Sequence, residues 1–262
     1  MLFAARVQSK NTSGREKDRE VQEAMDETNG TKAVESWAEW FDLRARYYDN
    51  PLMKMAYYLD GQPVAQEVMF SVIDDVWKKL RAGGSDILLD VGGGVGLFAK
   101  AFHHKLKRVV VTDVSFSMSE NGRTLNPDTP FSVCEASALP FASSSFSRVL
   151  CYSVFHYFGD LDHARRVLEE LVRVAKKGGR ILVGDIPFNV PPAEEKPASQ
   201  REKTGTKPHY PPCLKHNLKF LLYEPGFFVN FFNGCGIRCT VMQQDVKGKT
   251  TVSSRFDILA EV

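Results

Sequence analysis

Residues 87–98 read ILLDVGGGVGLF, with four glycines close behind a single carboxylate, Asp90. Glycine has no Cβ and adopts positive φ readily, so Gly92, Gly93, Gly94 and Gly96 allow a sharp turn and let a ligand touch the backbone. Asp113 follows 21 residues after Gly92. A carboxylate there can accept hydrogen bonds from both hydroxyls of a ribose. Together these residues predict a site for a nucleoside-containing cofactor. A dinucleotide loop would read G-x-G-x-x-G, but the third glycine position is Leu97 here. Asp90, directly before the loop, would disfavour a pyrophosphate and favour a cationic ligand with an amino group. S-adenosylmethionine carries a sulfonium and an ammonium and no phosphate, and it fits that charge pattern.

Such a loop needs a strand before it and a helix after it. The apolar run at 86–91 is read as a buried strand. The stretch from 96 to 106 is read as a helix with Phe98, Ala101, Phe102 and Lys105 on one face. Further strands are expected at 108–114, 131–136, 147–154 and 180–186. An amphipathic helix precedes the last of these, with Ala164, Val167, Leu168, Leu171 and Ala175 inward. Asp162 is its expected cap, and Gly178–Gly179 its expected stop. Continuous apolar strands alternating with helices imply a parallel sheet covered on both faces. The segments 237–246 and 254–262 read as an antiparallel hairpin that closes the sheet. The fold class expected is therefore α/β, a Rossmann-like doubly wound sheet. Ligands bind in such folds outside the carboxyl ends of the strands.

The chain has 262 residues, 43% hydrophobic and 25% charged, with 34 basic and 32 acidic residues and a formal net charge of +2. That balance gives no electrostatic reason to expect a nucleic-acid partner. No run is long and apolar enough for a membrane span, and the opening MLFAARV is too short for a signal peptide. Five scattered cysteines argue for free thiols in a reducing compartment, the cytoplasm. Residues 1–34 are polar and read as a disordered tail, and 35–262 as a single domain. Within it, 35–84 would be N-terminal helices, including one from about 62 to 80, with Trp37, Trp40, Phe41 and Tyr48 along one side. The cofactor-binding core would span 86–186, a lid or acceptor insertion 187–230, and the closing hairpin 237–262. The proline-rich stretch 187–214 reads either as an ordered lid or as disorder.

The ordered set of motifs resembles the class I S-adenosylmethionine-dependent methyltransferases. LLDVGGGVG (88–96) is similar to their first motif and VTDVS (111–115) to their acidic second-strand motif. CEASALPFASSSFSRVLCYSVFHYF (134–158) is similar to the stretch before and through the fourth strand. LEELVRVAKKGGRILVGDI (168–186) is similar to their helix-turn-strand. The resemblance covers about 86–186 and implies a seven-stranded, mostly parallel sheet with an antiparallel C-terminal hairpin. It also implies roles. Gly92 and Gly94 would flank the methionine part of the cofactor, and Asp90 would help hold its ammonium, directly or through water. Asp113, with Val114 beside it, would bind the ribose. Glu135 would accept from the adenine amino group, and Ala136 would offer its backbone N–H to the ring. Tyr152 and Ser153 would lie beneath the transferable methyl. Tyr47 or Tyr48 would reach over the cofactor. Ser147, where the family usually has Asp, and Ala175-Lys176-Lys177 depart from the pattern without removing a cofactor contact.

Methyl transfer from a sulfonium is an in-line displacement with a good leaving group. Alignment can supply most of the catalysis, about 7–11 kcal/mol. A general base is required only when the acceptor must lose a proton, and it adds about 10²–10⁴-fold. His156, just past the fourth strand, and Asp185, at the end of the fifth, are the candidates. His209, Cys213, His216, Cys235 and Cys239 have no spacing that fits a structural zinc, so no metal is expected. The expected acceptor is a small molecule, methylated at O or N. A macromolecular acceptor, a non-catalytic cofactor-fold module and an oxidoreductase are the rival readings. The oligomeric state is left open.

Overall fold

The computed structural model describes residues 34–189 and 216–262. The expectation for residues 1–33, and most of that for 187–214, lies outside the described residues. Seven strands form one sheet: β3 (Ile87–Val91), β4 (Arg108–Asp113), β5 (Phe131–Val133), β6 (Phe146–Tyr152), β7 (Ala175–Pro187), β8 (Arg238–Gln243) and β9 (Arg255–Glu261). Their order is β5-β4-β3-β6-β7-β9-β8. All pairings are parallel until β9, which inserts antiparallel between β7 and β8. Side chains alternate across the pleat. Leu88, Leu150 and Leu182 join the core on one face, and Leu89, Val149 and Val183 join the core on the other.

Ahead of the sheet, α1 (Trp37–Tyr47) starts where the Ser36 hydroxyl accepts from the Glu39 N–H, a side-chain cap. In α2 (Pro51–Lys54), Asn50 caps and proline fills the first turn. A two-residue hairpin, β1 (Tyr58–Leu59) and β2 (Gln62–Pro63), follows. Asp60 and Gly61 both take positive φ in its turn, 51° and 74°. This Asp-Gly hairpin signal displaces the helix expected from residue 62. That helix, α3, begins at Gln66 and ends at Leu80. Trp37, Phe41 and Tyr48 pack around Trp40 as expected.

Other boundaries shift for local reasons. α4 (Leu97–Phe102) is short, so Lys105 is exposed and Leu106 takes the buried position. α5 (Phe116–Leu125), not anticipated from the sequence, is capped by Ser115, whose hydroxyl accepts from the Met118 N–H at 3.0 Å. α6 (Leu161–Val174) is capped by Asp160 and not by Asp162. It ends before Gly178–Gly179, because Ala175 already pairs with Phe146 in the sheet. Ser147 holds Ile87 by accepting its N–H at 2.9 Å, so the departure at that position is structural. The last helix, α7 (Pro225–Gly234), buries Phe228, Phe231 and Phe232. Among the described residues, no helix is long and apolar enough to cross a membrane.

One charged cluster ties α3 to the closing strand. Lys79 Nζ donates to Asp75 at 2.6 Å, to Asp257 at 2.7 Å and to the Gln243 carbonyl at 3.0 Å, all but dry. Burial raises the Asp75 carboxyl, against the pull of Lys79. Removing the cation leaves two carboxylates buried without it, which typically costs about 3–5 kcal/mol. Lys79→Met should therefore lower stability by that order in urea titration. A loss of less than about 1 kcal/mol would show that water relieves the pair.

Candidate active site

β3, β6 and β7 run to one edge of the sheet, and the chain takes positive φ there three times: Gly92 at 69° just after β3, Ser153 at 61° just after β6, and Asp185 at 59° within β7, where its pairing with β9 shifts register. For Ser and Asp this conformation costs about 1–3 kcal/mol and persists only where neighbours impose it. The Ser153 N–H donates to the Gly184 carbonyl at 2.9 Å, and the Asp185 N–H donates to Asp257 at 2.8 Å. The glycine loop is equally committed. Gly94 and Gly96 also have positive φ, and a Cβ on Gly92 would sit 2.5 Å from a Val154 methyl.

A cavity of about 480 Å³ opens over this loop. Of the residues expected to bind the cofactor, Gly92, Gly94, Asp113, Val114, Glu135, Ala136, Tyr152 and Ser153 line it. Asp113 is locked in place by backbone: one oxygen accepts from the Gly94 N–H at 2.8 Å, the other from the Ser115 N–H at 2.9 Å. Burial pushes its carboxyl up to about 6, against those donors. Asp90 and Gly93 are not on the wall. Asp90 lies one layer behind it, 1% exposed, and its Oδ2 has no hydrogen-bond partner among the described residues. A Cβ on Gly93 would sit 2.6 Å from that oxygen. Burial, then the Asp113 charge, pushes the Asp90 carboxyl up to about 7.

A second cavity, about 1050 Å³, adjoins the first. Trp37, Met55, Tyr57, Ser153 and Tyr157 line both. His156 and Asp185 face only the second, and neither is suited to take a proton. His156 is 3% exposed. Burial, with Arg255 and Lys249 nearby, lowers its pKa to about 3 despite Asp185. Asp185 is buried too, which alone would raise it, but Lys249 and Arg255 hold it at about 2. It is ion-paired to Lys249 and also accepts from the Gln244 amide at 3.2 Å. Both shifts work against the general-base role expected of these two residues.

Tyr47 and Tyr48 line neither cavity. Their rings pack edge to face, and the Arg44 guanidinium lies 4.8 Å from the Tyr48 ring. From this N-terminal segment, Trp37, Phe41 and Tyr57 line the first cavity instead. Tyr57 was visible only as part of an aromatic-rich stretch, since its position depends on the Asp60–Gly61 turn. Met55 carried no signal at all, yet its sulfur accepts from the Val95 N–H at 3.3 Å and covers the glycine loop. Cys134, Cys151, Cys235 and Cys239 are free thiols, while His209 and Cys213 lie outside the described residues.

Comparison with known proteins agrees with this geometry. Residues 89–183 match a family model described as a methyltransferase domain. Over 132 residues the chain is 35% identical to the ubiquinone/menaquinone biosynthesis C-methyltransferase of Bordetella parapertussis, covering 46% of this chain and 50% of that protein. The chain thus spans about half the length of the curated relatives it matches. In fold it is similar to an S-adenosylmethionine-dependent methyltransferase from Mesorhizobium loti (TM-score 0.57, 16% identity, 74% of this chain and 98% of that one). It is also similar to phosphoethanolamine N-methyltransferase 1 of Haemonchus contortus (TM-score 0.59, 12% identity, 96% and 50%). Through the segment 89–183 and the sheet built around it, the chain is similar to the class I S-adenosylmethionine-dependent methyltransferases.

Proposed function

We propose that this chain transfers a methyl group from S-adenosylmethionine to an O or N atom of a small-molecule acceptor. The shared wall of the two cavities carries the reading. One cavity has the carboxylate that ends β4 on its wall and that of Asp90 behind it, the other is rich in aromatic rings, and they meet at Ser153, Tyr57 and Met55. The cofactor fits the first cavity on two observations. Gly92 and Gly94 present bare backbone to the cavity, and two buried carboxylates, Asp113 on its wall and Asp90 behind it, have no ion-paired cation among the described residues. When bound, S-adenosylmethionine supplies an electrophilic methyl on a sulfonium.

The roles of this chain's residues follow from their positions. Asp113 offers its remaining lone pairs to the ribose hydroxyls, already oriented by Gly94 and Ser115. Glu135 and Ala136, at the exposed rim, take the adenine edge. Asp90 favours the cationic end from behind the loop. Ser153, Tyr57 and Tyr157 mark where donor and acceptor meet. With His156 and Asp185 both poor bases, the acceptor must arrive as a nucleophile, and orientation supplies most of the rate. The Bordetella relative is named for methylation at carbon; analysis of the product's methyl by NMR separates carbon from O or N.

Two tests follow. Saturating S-adenosylhomocysteine at about 100 times its dissociation constant should add about 2.7 kcal/mol, roughly 5–10 °C in melting temperature for a chain of this size. Asp113→Ala should abolish that rise. No rise at millimolar ligand in folded protein would sink the methyltransferase reading and leave a binding module on a cofactor fold.

The second test is pH. A cationic ligand favours the ionised form of Asp90. Below about pH 7 the free protein holds that proton, and binding must first expel it, so affinity should fall by up to about tenfold per pH unit from pH 7 downward. Stability of the unliganded protein runs the other way. Asp90's raised pKa means the folded chain binds more protons than the unfolded one between about pH 4 and 7, so this group's contribution becomes unfavourable as pH rises through that window. Asp90→Asn should therefore flatten the affinity profile and melt above the wild type at pH 8. Calorimetry showing the same affinity at pH 6 and 8 would contradict the role given to Asp90.

A further inference from the structure

The second cavity has two chemically different linings. Trp37 and Phe220 stack in parallel, 5.1 Å between centroids and 6° between planes, and Tyr157 leans on Trp37 at 4.8 Å. Flat apolar walls of this kind hold planar rings. The other lining is ionic. Lys249 and Arg255 share a single carboxylate, Asp185, and the three side chains are 13%, 22% and 6% exposed. Arg255 also donates to the Asp185 backbone carbonyl at 2.7 Å. At this buried end two cations meet one anion, where solvent screening is weak; the other charged residue on the lining, Asp60, is solvent-exposed. Lys79, Asp75 and Asp257, one short of balance in the other sense, lie behind the wall and not on it.

Two further observations point the same way. At His156 the two cations outweigh Asp185, so the local potential is positive. The His156 ring faces this cavity, is all but buried, and its Nδ1 has no hydrogen-bond partner among the described residues. A buried polar atom of that kind costs free energy unless something meets it. As a neutral ring it can donate from Nδ1 to an anion. Asp185 is placed here by a strained backbone, a mark of sites where geometry serves function.

We propose that this cavity takes an aromatic acceptor bearing an anionic oxygen, its ring against Trp37 and Phe220 and its charge toward Lys249, Arg255 and the His156 ring. This deepens the methyltransferase reading and rests on it. Lys249 and Arg255 are then specificity-determining residues. The anionic oxygen is either a carboxylate that anchors the ring or a phenolate that itself reacts, and the same cations recognise both.

The test is calorimetric binding to protein saturated with S-adenosylhomocysteine. Four small probes form two matched pairs: 4-hydroxycinnamate against its amide, and 4-nitrophenolate against 4-nitroanisole. Hexanoate serves as an anion with no ring. The expected result is a preference of about tenfold or more for the anion in at least one pair, the scale of one charge-assisted hydrogen bond. The first pair reports an anchoring carboxylate and the second a reactive phenolate. Lys249→Gln and Arg255→Gln, each checked for a cooperative melt, should each erase most of the preference. Lys249→Gln keeps the assay decisive if the Arg255 variant does not fold. Equal binding within both pairs, no binding of any probe, a preference that survives both variants, or hexanoate binding as well as 4-hydroxycinnamate would overturn the proposal. Failure of S-adenosylhomocysteine to bind strikes the methyltransferase reading itself, and an anion preference without it removes the acceptor assignment.

Discussion

Parallel pairing of the central strands is the constraint on which the rest depends. β3 lies between β4 and β6, with Asp90 level with Val111 on one side and Leu150 on the other. In that register the carboxyl ends of β3, β4, β6 and β7 reach one edge together. The residues at those ends are brought together first by the backbone pairing of the strands that carry them. Gly92, Asp113 and Ser153 line one cavity, and Ser153 and Asp185 the adjoining one, although the sequence spreads them over more than 90 residues. A register slip of one residue would invert every facing. The cores on the two faces, Leu88 with Leu150 and Leu182 against Leu89 with Val149 and Val183, forbid it.

That constraint also separates what the sequence discloses from what it hides. The glycine loop, Asp113, Glu135 and Ser153 were legible because backbone requirements select residue types: positive φ selects glycine, and a strand-end carboxylate follows its strand by a fixed interval. The sheet was legible because continuous apolar runs are what burial on both faces demands. Boundaries such as the start of α3 were misplaced where a local turn, Asp60–Gly61, overrode helical spacing. The second cavity was hardly legible. Its walls come from residues 37, 57, 156, 185, 220, 249 and 255, gathered from loops and element ends that no periodicity marks. His156 and Asp185 line the second cavity, yet their chemistry could not be read from their types. Burial and two distant cations decide it, and both are tertiary facts.

The two cavities set groups of opposite sign near their meeting point. Asp113, with Asp90 behind it, stands at the first, while Lys249 and Arg255 outnumber Asp185 at the buried end of the second. A cation and an anion that react together lose charge as they do so. Water, which solvates the separated ions best, opposes such a step; a dry site whose fixed groups replace water opposes it less. Holding each ion against groups of opposite sign stabilises it before reaction, at the cost of making it less reactive. The structure limits that cost by distance. Asp90 acts from behind the loop, and Lys249 and Arg255 sit by the neighbouring strand end, with the neutral Ser153, Tyr57, Tyr157 and Met55 between the two sets. The junction itself thus holds no charge that must be displaced when the partners meet. Tyr57 fits this requirement well, because burial, with Asp185 adding to it, keeps its hydroxyl protonated far above neutral pH. A charged residue at this junction would bind one partner more tightly and hold it short of the other.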